Sequence, residues 1–205
     1  MHKTPVARSI NEENFVFFNK LLFEFGCFPF YGTFLGLHRD GNIIPEDDDI
    51  DFYINMKYKN DVISKLEENG FKVYFSKKVN ETIYFIQYRN FIKSQECICD
   101  IYFYEEGKNY LVEKSNFGGN VANKISDLKI LKSLIFPLQK KSFFDQDVNF
   151  PNNPDSLASF LYGKYWGIPA KKNTEYMIRV FFGKPIMFKG KFQFLIYRIL
   201  RAIFY

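Results

Sequence analysis

A mixed α+β fold, one β-sheet with helices against it, is the class this sequence predicts, on three observations. Strand-type alternation recurs in residues 49–55, 71–76, 83–88 and 97–104. Helical spacing with recognisable ends separates these runs at residues 9–26, 58–69 and 153–163. No internal repeat or low-complexity linker divides the 205 residues, a length that one domain fills with a substantial core.

The elements follow in order. Ser9-Ile10-Asn11-Glu12 has the pattern of a capping box, in which Ser9 and Glu12 satisfy the first free amides of a helix. Phe15, Phe18, Leu22 and Phe25 then recur at helical spacing until Gly26. Residues 28–31 read as a short apolar strand, weakened by Pro29 and followed by Gly32-Thr33. Residues 35–48 hold two glycines and one proline, which predicts a structured loop with at most one helical turn. The strand over 49–55 sets Asp49, Asp51 and Tyr53 on one face and Ile50, Phe52 and Ile54 on the other.

A helix over 58–69 carries the stripe Val62, Ile63 and Leu66, with Gly70 just past its end. Three strands follow, and in the third of them Asp100 shares a face with Ile98 and Tyr102. Residues 105–120 show no regular pattern, because Gly107, Gly118 and Gly119 interrupt it. Residues 130–138 and 143–150 look extended, and Asn153-Pro154 starts a helix that ends at Gly163. The expected division is one domain over residues 1–188 and a basic amphipathic helix over 189–205.

Charge is divided along the chain. The net charge is +5, yet the residues from Lys164 onward carry nine Lys/Arg and one acid, a balance of +8. The rest is therefore mildly acidic, which argues against nucleic acid as a partner. A hydrophobic content of 47% excludes a disordered chain. No uncharged apolar run approaches the roughly 18 residues of a membrane span, and no signal-peptide core follows Met1. Three cysteines, Cys27, Cys97 and Cys99, are too few for a disulfide framework. The expected location is the cytoplasm, with a peripheral position on the inner face of the cell membrane as the alternative.

The chemistry concentrates at residues 46–51. Five carboxylates in six residues, Glu46, Asp47, Asp48, Asp49 and Asp51, repel one another at the entry to a strand. A divalent cation is the usual compensation, since Mg²⁺ takes one or two carboxylates together with substrate phosphate oxygens. Asp49 and Asp51 lie close enough on one face to share a metal, and Asp100, an acid in a strongly apolar strand, can complete the set. Gly32-Thr33 supplies a backbone without Cβ and a hydroxyl, which suit a phosphate. A solvated acidic loop is the competing reading.

The ordered residues Gly32, Thr33, Leu35, Gly36, Arg39, Ile44, Pro45, Asp47, Asp48, Asp49 and Asp51 resemble the signature of the LicD/fukutin family of the nucleotidyltransferase superfamily. Glu46 departs from it, standing where the family usually has Trp. Asp100-Ile101-Tyr102, Ile135-Phe136-Pro137-Leu138 and Tyr162-Gly163-Lys164-Tyr165-Trp166 resemble later segments. The resemblance implies a nucleotidyltransferase-like mixed β-sheet flanked by helices. It also implies a transferase that moves a phosphoryl-linked alcohol, such as phosphocholine or a polyol phosphate, from a CDP-activated donor to a glycan hydroxyl.

In that reading Asp49, Asp51 and Asp100 are the catalytic and metal-binding residues, for Mg²⁺ or Mn²⁺, with Asp100 as third ligand or as base. Gly32, Thr33, Gly36 and Arg39 would line the donor site. Two other functions compete: transfer of a nucleoside monophosphate to a small molecule or protein, and nucleotide or glycan binding without turnover. Arg39 can equally pair with the acids. His38 reads as structural, and the cysteines as small buried hydrophobes. Residues 191–205 plot as an amphipathic helix, which either packs on the domain or meets an anionic membrane beside a lipid-linked acceptor.

Overall fold

The computed structural model describes residues 9–45, 47–114, 127–169, 176–181 and 184–189. The chain divides into two compact units, Met1–Phe103 with Gln139–Phe150 and Tyr104–Leu138 with Pro151–Tyr205. The fold class is the expected one, α+β with a sheet flanked by helices.

The first unit opens with α1 (Ile10–Leu22) and the capping box its sequence predicts: Glu12 N donates to Ser9 Oγ at 3.2 Å, and Ser9 N to Glu12 Oε2 at 2.8 Å. Phe15, Phe18 and Leu22 are buried, and Gly26 closes the following turn at φ +67°. Strand β1 is Phe28–Pro29 alone, antiparallel to β2 (Asp49–Asn55). Between them lies α2 (Tyr31–Arg39), nine residues of helix where the glycines predict a loop. Each glycine costs a helix about 1 kcal/mol, but Phe34, Leu35 and Leu37 bury their side chains, and that packing overrides propensity.

Helix α3 (Lys59–Glu68) matches its stripe, with Val62 and Leu66 buried. Strands β3 (Val73–Val79), β4 (Thr82–Ile92) and β5 (Gln95–Glu106) form consecutive antiparallel hairpins, and the sheet runs β1-β2-β5-β4-β3. Their turns, Asn80-Glu81 and Lys93-Ser94, hold both residues at positive φ without any glycine. Phe15 of α1 stacks on Phe52 of β2 at 5.4 Å, and Phe18 meets Phe71 at 5.1 Å, which seats α1 on the sheet.

In the second unit, Tyr104–Glu106 pair with β6 (Tyr110–Glu113), which pairs with β7 (Leu128–Leu131). Strand β6 falls where the sequence shows no pattern. Residues 132–135, expected to be extended, form the single turn α4 (Lys132–Ile135). The ladder to β6 ends at Tyr110 and Leu131, so the chain beyond bonds locally, with Phe136 N donating to Lys132 O at 2.8 Å.

Back in the first unit, the hairpin β8 (Gln139–Phe143) and β9 (Gln146–Phe150) turns at Phe144-Asp145, so the run expected over 143–150 is two strands and not one. Phe150 packs on Phe34 at 5.5 Å. Helix α5 (Pro154–Tyr162) of the second unit starts at Asn153-Pro154 and stops at Gly163 as expected. Strands β10 (Tyr176–Phe181) and β11 (Lys184–Lys189) pair antiparallel, which places Lys189 in a strand and not at the start of the C-terminal helix. Residues 190–205, where that helix is expected, lie outside the described residues. No helix among the described residues is long and apolar enough to cross a membrane.

Candidate active site

The site is assembled where β1 gives out. In an extended strand the N–H and C=O of one residue point the same way, and those of Asp51 point toward the β1 side. Strand β1 ends at Pro29, so two other groups complete the bonding: Phe30 N donates to Asp51 O at 3.1 Å, and Asp51 N donates to Thr33 Oγ1 at 2.8 Å. Thr33, fully buried in the first turn of α2, thus replaces a ladder bond and fixes β2 against the helix start. Helix α2 has no side-chain N-cap, and Tyr31 enters it at φ +42°, a strained conformation for an aromatic residue.

The acids gather at this helix start, the end of the helix dipole that favours negative charge. A Cβ on Gly32 would lie 2.8 Å from Asp47 Oδ2 and 3.6 Å from Asp51 Oδ2, so glycine is what lets the carboxylates approach. Asn11 of α1 donates its side-chain amide to the Asp47 carbonyl. Asn14, one turn on, donates to Ile98 O at 3.1 Å and accepts from Asn90 Nδ2 at 3.2 Å, tying α1 to β5 and β4.

Strand β2 delivers Asp49 and Asp51, and its neighbour β5 delivers Asp100. One carboxylate oxygen from each lies within 4.8 Å of the other two; Asp47, Asp48 and Asp49 form a second such group. Asp51 and Asp100 are only 5% and 6% exposed, which rules out a solvated acidic loop for these two. The Asp51 carboxyl is pushed well above the ordinary carboxylate range by burial, then by Asp49, Asp100 and Asp47; a hydrogen bond from the backbone of Thr33 opposes this. Asp100 is pushed up to about 6, mainly by burial, against the hydrogen bonds from Gln87 and Tyr102 and the charge of Lys77.

Gln87 Nε2 donates to Asp100 Oδ1 at 2.9 Å from the directly opposed position on β4, and Tyr102 OH to Asp100 Oδ2 at 3.4 Å. Crowded buried carboxylates with all-oxygen donors are the set that a hard divalent cation satisfies, so the residues present fit such an ion.

The structure brings together Asp49, Asp51, Asp100, Gly32 and Thr33. Gly36 lies further along α2, where a Cβ would meet Asn42 O at 2.6 Å and Ile44 N at 2.9 Å; its visible task is to let the loop bearing the acids cross the helix. Arg39 turns its guanidinium on Asp40 in a forked pair, with Nη2 2.6 Å from Oδ2. His38 stacks on Phe34 at 5.7 Å, in keeping with a structural role. The three cysteines are buried and unbridged. Glu46 lies outside the described residues.

The family model described as LicD/FKTN/FKRP, nucleotidyltransferase domain, matches residues 25–153, a span holding every acid of the site. The chain belongs to this family. Three curated proteins named ribitol-5-phosphate transferase FKTN are similar to this LicD-family chain: that of Macaca fascicularis at 31% identity, of Homo sapiens at 30% and of Mus musculus at 32%. Each match runs over 149 residues, 70% of this chain but only 30% of the relative, so the LicD-family chain spans a minor part of their length. The fold is similar to that of lincomycin-bound lincosamide antibiotic adenylyltransferase LnuA, with a TM-score of 0.51 at 14% identity, covering 77% of this chain and 89% of that one.

Sequence reasoning on this LicD-family chain missed Asn11, Gln87 and Lys77. The signal for Gln87 was the hairpin register: a two-residue turn at Lys93-Ser94 sets Gln87 opposite Asp100. Neither turn residue is glycine, so nothing in the sequence marked the turn.

Proposed function

We propose that this LicD-family chain transfers a phosphoryl-linked alcohol, phosphocholine or a polyol phosphate, from a CDP-activated donor to a hydroxyl of a glycan. The observation that carries the reading is the set of half-buried Asp49 and buried Asp51 and Asp100, gathered from two neighbouring strands at the start of α2. The names of the FKTN relatives, ribitol-5-phosphate transferases, support the class of group moved.

Asp49 and Asp51 would hold Mg²⁺ or Mn²⁺, which when bound supplies Lewis-acid neutralisation of the donor diphosphate. The chain's own residues do the rest. Gly32 lets the carboxylates of Asp47 and Asp51 approach the helix start, and Thr33 keeps Asp51 in place. Gln87 and Tyr102 orient Asp100, whose carboxyl, pushed up to about 6, is ionised at neutral pH and accepts the proton of the attacking glycan hydroxyl. The oxygen–phosphorus bond to the glycan forms as the diphosphate bridge breaks, and CMP departs.

The experiment is a screen of CDP-linked alcohols with Mg²⁺ and a glycan acceptor, reading CMP release and the mass gained by the acceptor. Wild type should release CMP and add the alcohol phosphate, and Asp49→Asn or Asp51→Asn should lower the rate by at least about a hundredfold. Gain of a nucleoside monophosphate by the acceptor, or undiminished turnover in both variants, would overturn the proposal.

A further inference from the structure

The sheet face that holds the acids continues past them to the edge strand. Reading across from β5, the opposed residues are Asp100, Gln87 and Phe75 in one row and Tyr102, Phe85 and Lys77 in the next. The rings form a continuous shelf: Phe85 is 4.9 Å from Tyr102, Phe75 is 6.1 Å from Phe85, and Tyr31 of α2 covers Tyr102 at 5.1 Å. At its far end the ammonium of Lys77 lies over the Phe85 ring, 5.5 Å from its centroid.

Lysine on an edge strand ordinarily reaches into water and keeps other strands away. Lys78 does so, exposed and paired with Glu81 at 3.8 Å. Lys77 instead is half-buried, folded over an aromatic ring on the acid-bearing face, and its charge acts on Asp100. Burial lowers its proton affinity, and the charge of Asp100 offsets only part of that.

Charge balance supplies a purpose for an ammonium held there. Three carboxylates and one divalent cation leave the site at −1, and a bridging diphosphate adds at least two further negative charges. A cation is needed on the substrate's other side. Arg39, the residue the sequence offered, is turned on Asp40. A lysine binds phosphate as a point charge and needs no fixed fork geometry.

We propose that Lys77 is a substrate-binding residue, whose ammonium holds a non-bridging oxygen of the donor diphosphate on the side of Asp100 away from Asp49 and Asp51. This rests on the transferase reading above but concerns only the diphosphate, the part common to every nucleotide-linked donor.

The test therefore uses inorganic pyrophosphate with Mg²⁺, titrated calorimetrically into the full chain as wild type, Lys77→Met and Lys77→Arg. Mn²⁺ binding by electron paramagnetic resonance monitors the carboxylates separately. Lys77→Met should weaken pyrophosphate binding about ten- to a hundredfold, the loss of one charged hydrogen bond. Lys77→Arg should stay within about threefold, and Mn²⁺ binding should hold within about twofold in both. Three results would overturn the assignment: pyrophosphate binding by Lys77→Met within twofold of wild type, a matching loss of Mn²⁺ binding, or no binding by wild type. A Lys77-dependent pyrophosphate site in a chain that consumes no CDP-linked alcohol would keep the assignment and sink the CDP reading alone.

Discussion

Thr33→Val tests the joint between α2 and β2. Valine has threonine's shape, so the cavity term is small, but it cannot accept the bond that Asp51 N now makes to Thr33 Oγ1 at 2.8 Å. Both residues are buried. An orphaned buried N–H costs about 1–3 kcal/mol. For a chain of this size each kcal/mol moves the midpoint by about 2–4 °C, so Tm should fall by about 2–12 °C. Thr33→Ser is the control: it keeps the acceptor and loses one methyl group, at about 1 kcal/mol. Because the lost bond positions the backbone of Asp51, Mn²⁺ affinity should drop about ten- to a hundredfold in Thr33→Val and little in Thr33→Ser. Thermal or urea unfolding and a Mn²⁺ titration on the three proteins decide it. Equal stability of the valine variant and wild type would refute the reasoning, as would equal losses in both variants.

Four further outcomes follow from the geometry. Asp100 has a folded pKa of about 6 against an ordinary 3.8, so the native state holds its proton longer than the unfolded chain; its contribution is full below about pH 4 and lost as pH rises through 6. Metal-free Asp100→Asn should therefore match wild type at pH 4 and exceed it at pH 8 by on the order of 3 kcal/mol, measured by urea unfolding. Gly36→Ala forces a Cβ onto the backbone at Asn42 and Ile44 and should cost about 1–3 kcal/mol. Gly32→Ala clashes with the movable Asp47 side chain and touches Asp51 Oδ2 at ordinary contact distance, so it should change Mn²⁺ affinity more than Tm. Ser94→Gly relieves a residue held at φ +65° in a hairpin turn and should add about 1 kcal/mol, seen as a higher urea midpoint.

Local physics accounts for what the sequence by itself determined. The cap at Ser9 needs only residues 9–12, and the shared face of Asp49 and Asp51 needs only the two-residue period of a strand. The ends of α3 and α5 lie beside Gly70 and Gly163, where glycine takes up the positive φ that stops a helix. The acid cluster was legible for the same reason, since its members adjoin one another in the chain.

Only the tertiary structure decided the remainder of the site. Residues 31–39 are a helix because Phe34 and Leu37 find a core, although two glycines count against it. Asp100 was visible as an acid in an apolar strand, but its bond from Gln87 and its place near Lys77 depend on the register of hairpins that turn without glycine. Register is a non-local quantity: a slip of one residue would send Gln87 and Lys77 to the opposite face and leave Asp100 without either. The sequence placed two carboxylates side by side; pairing between distant strands made them a site.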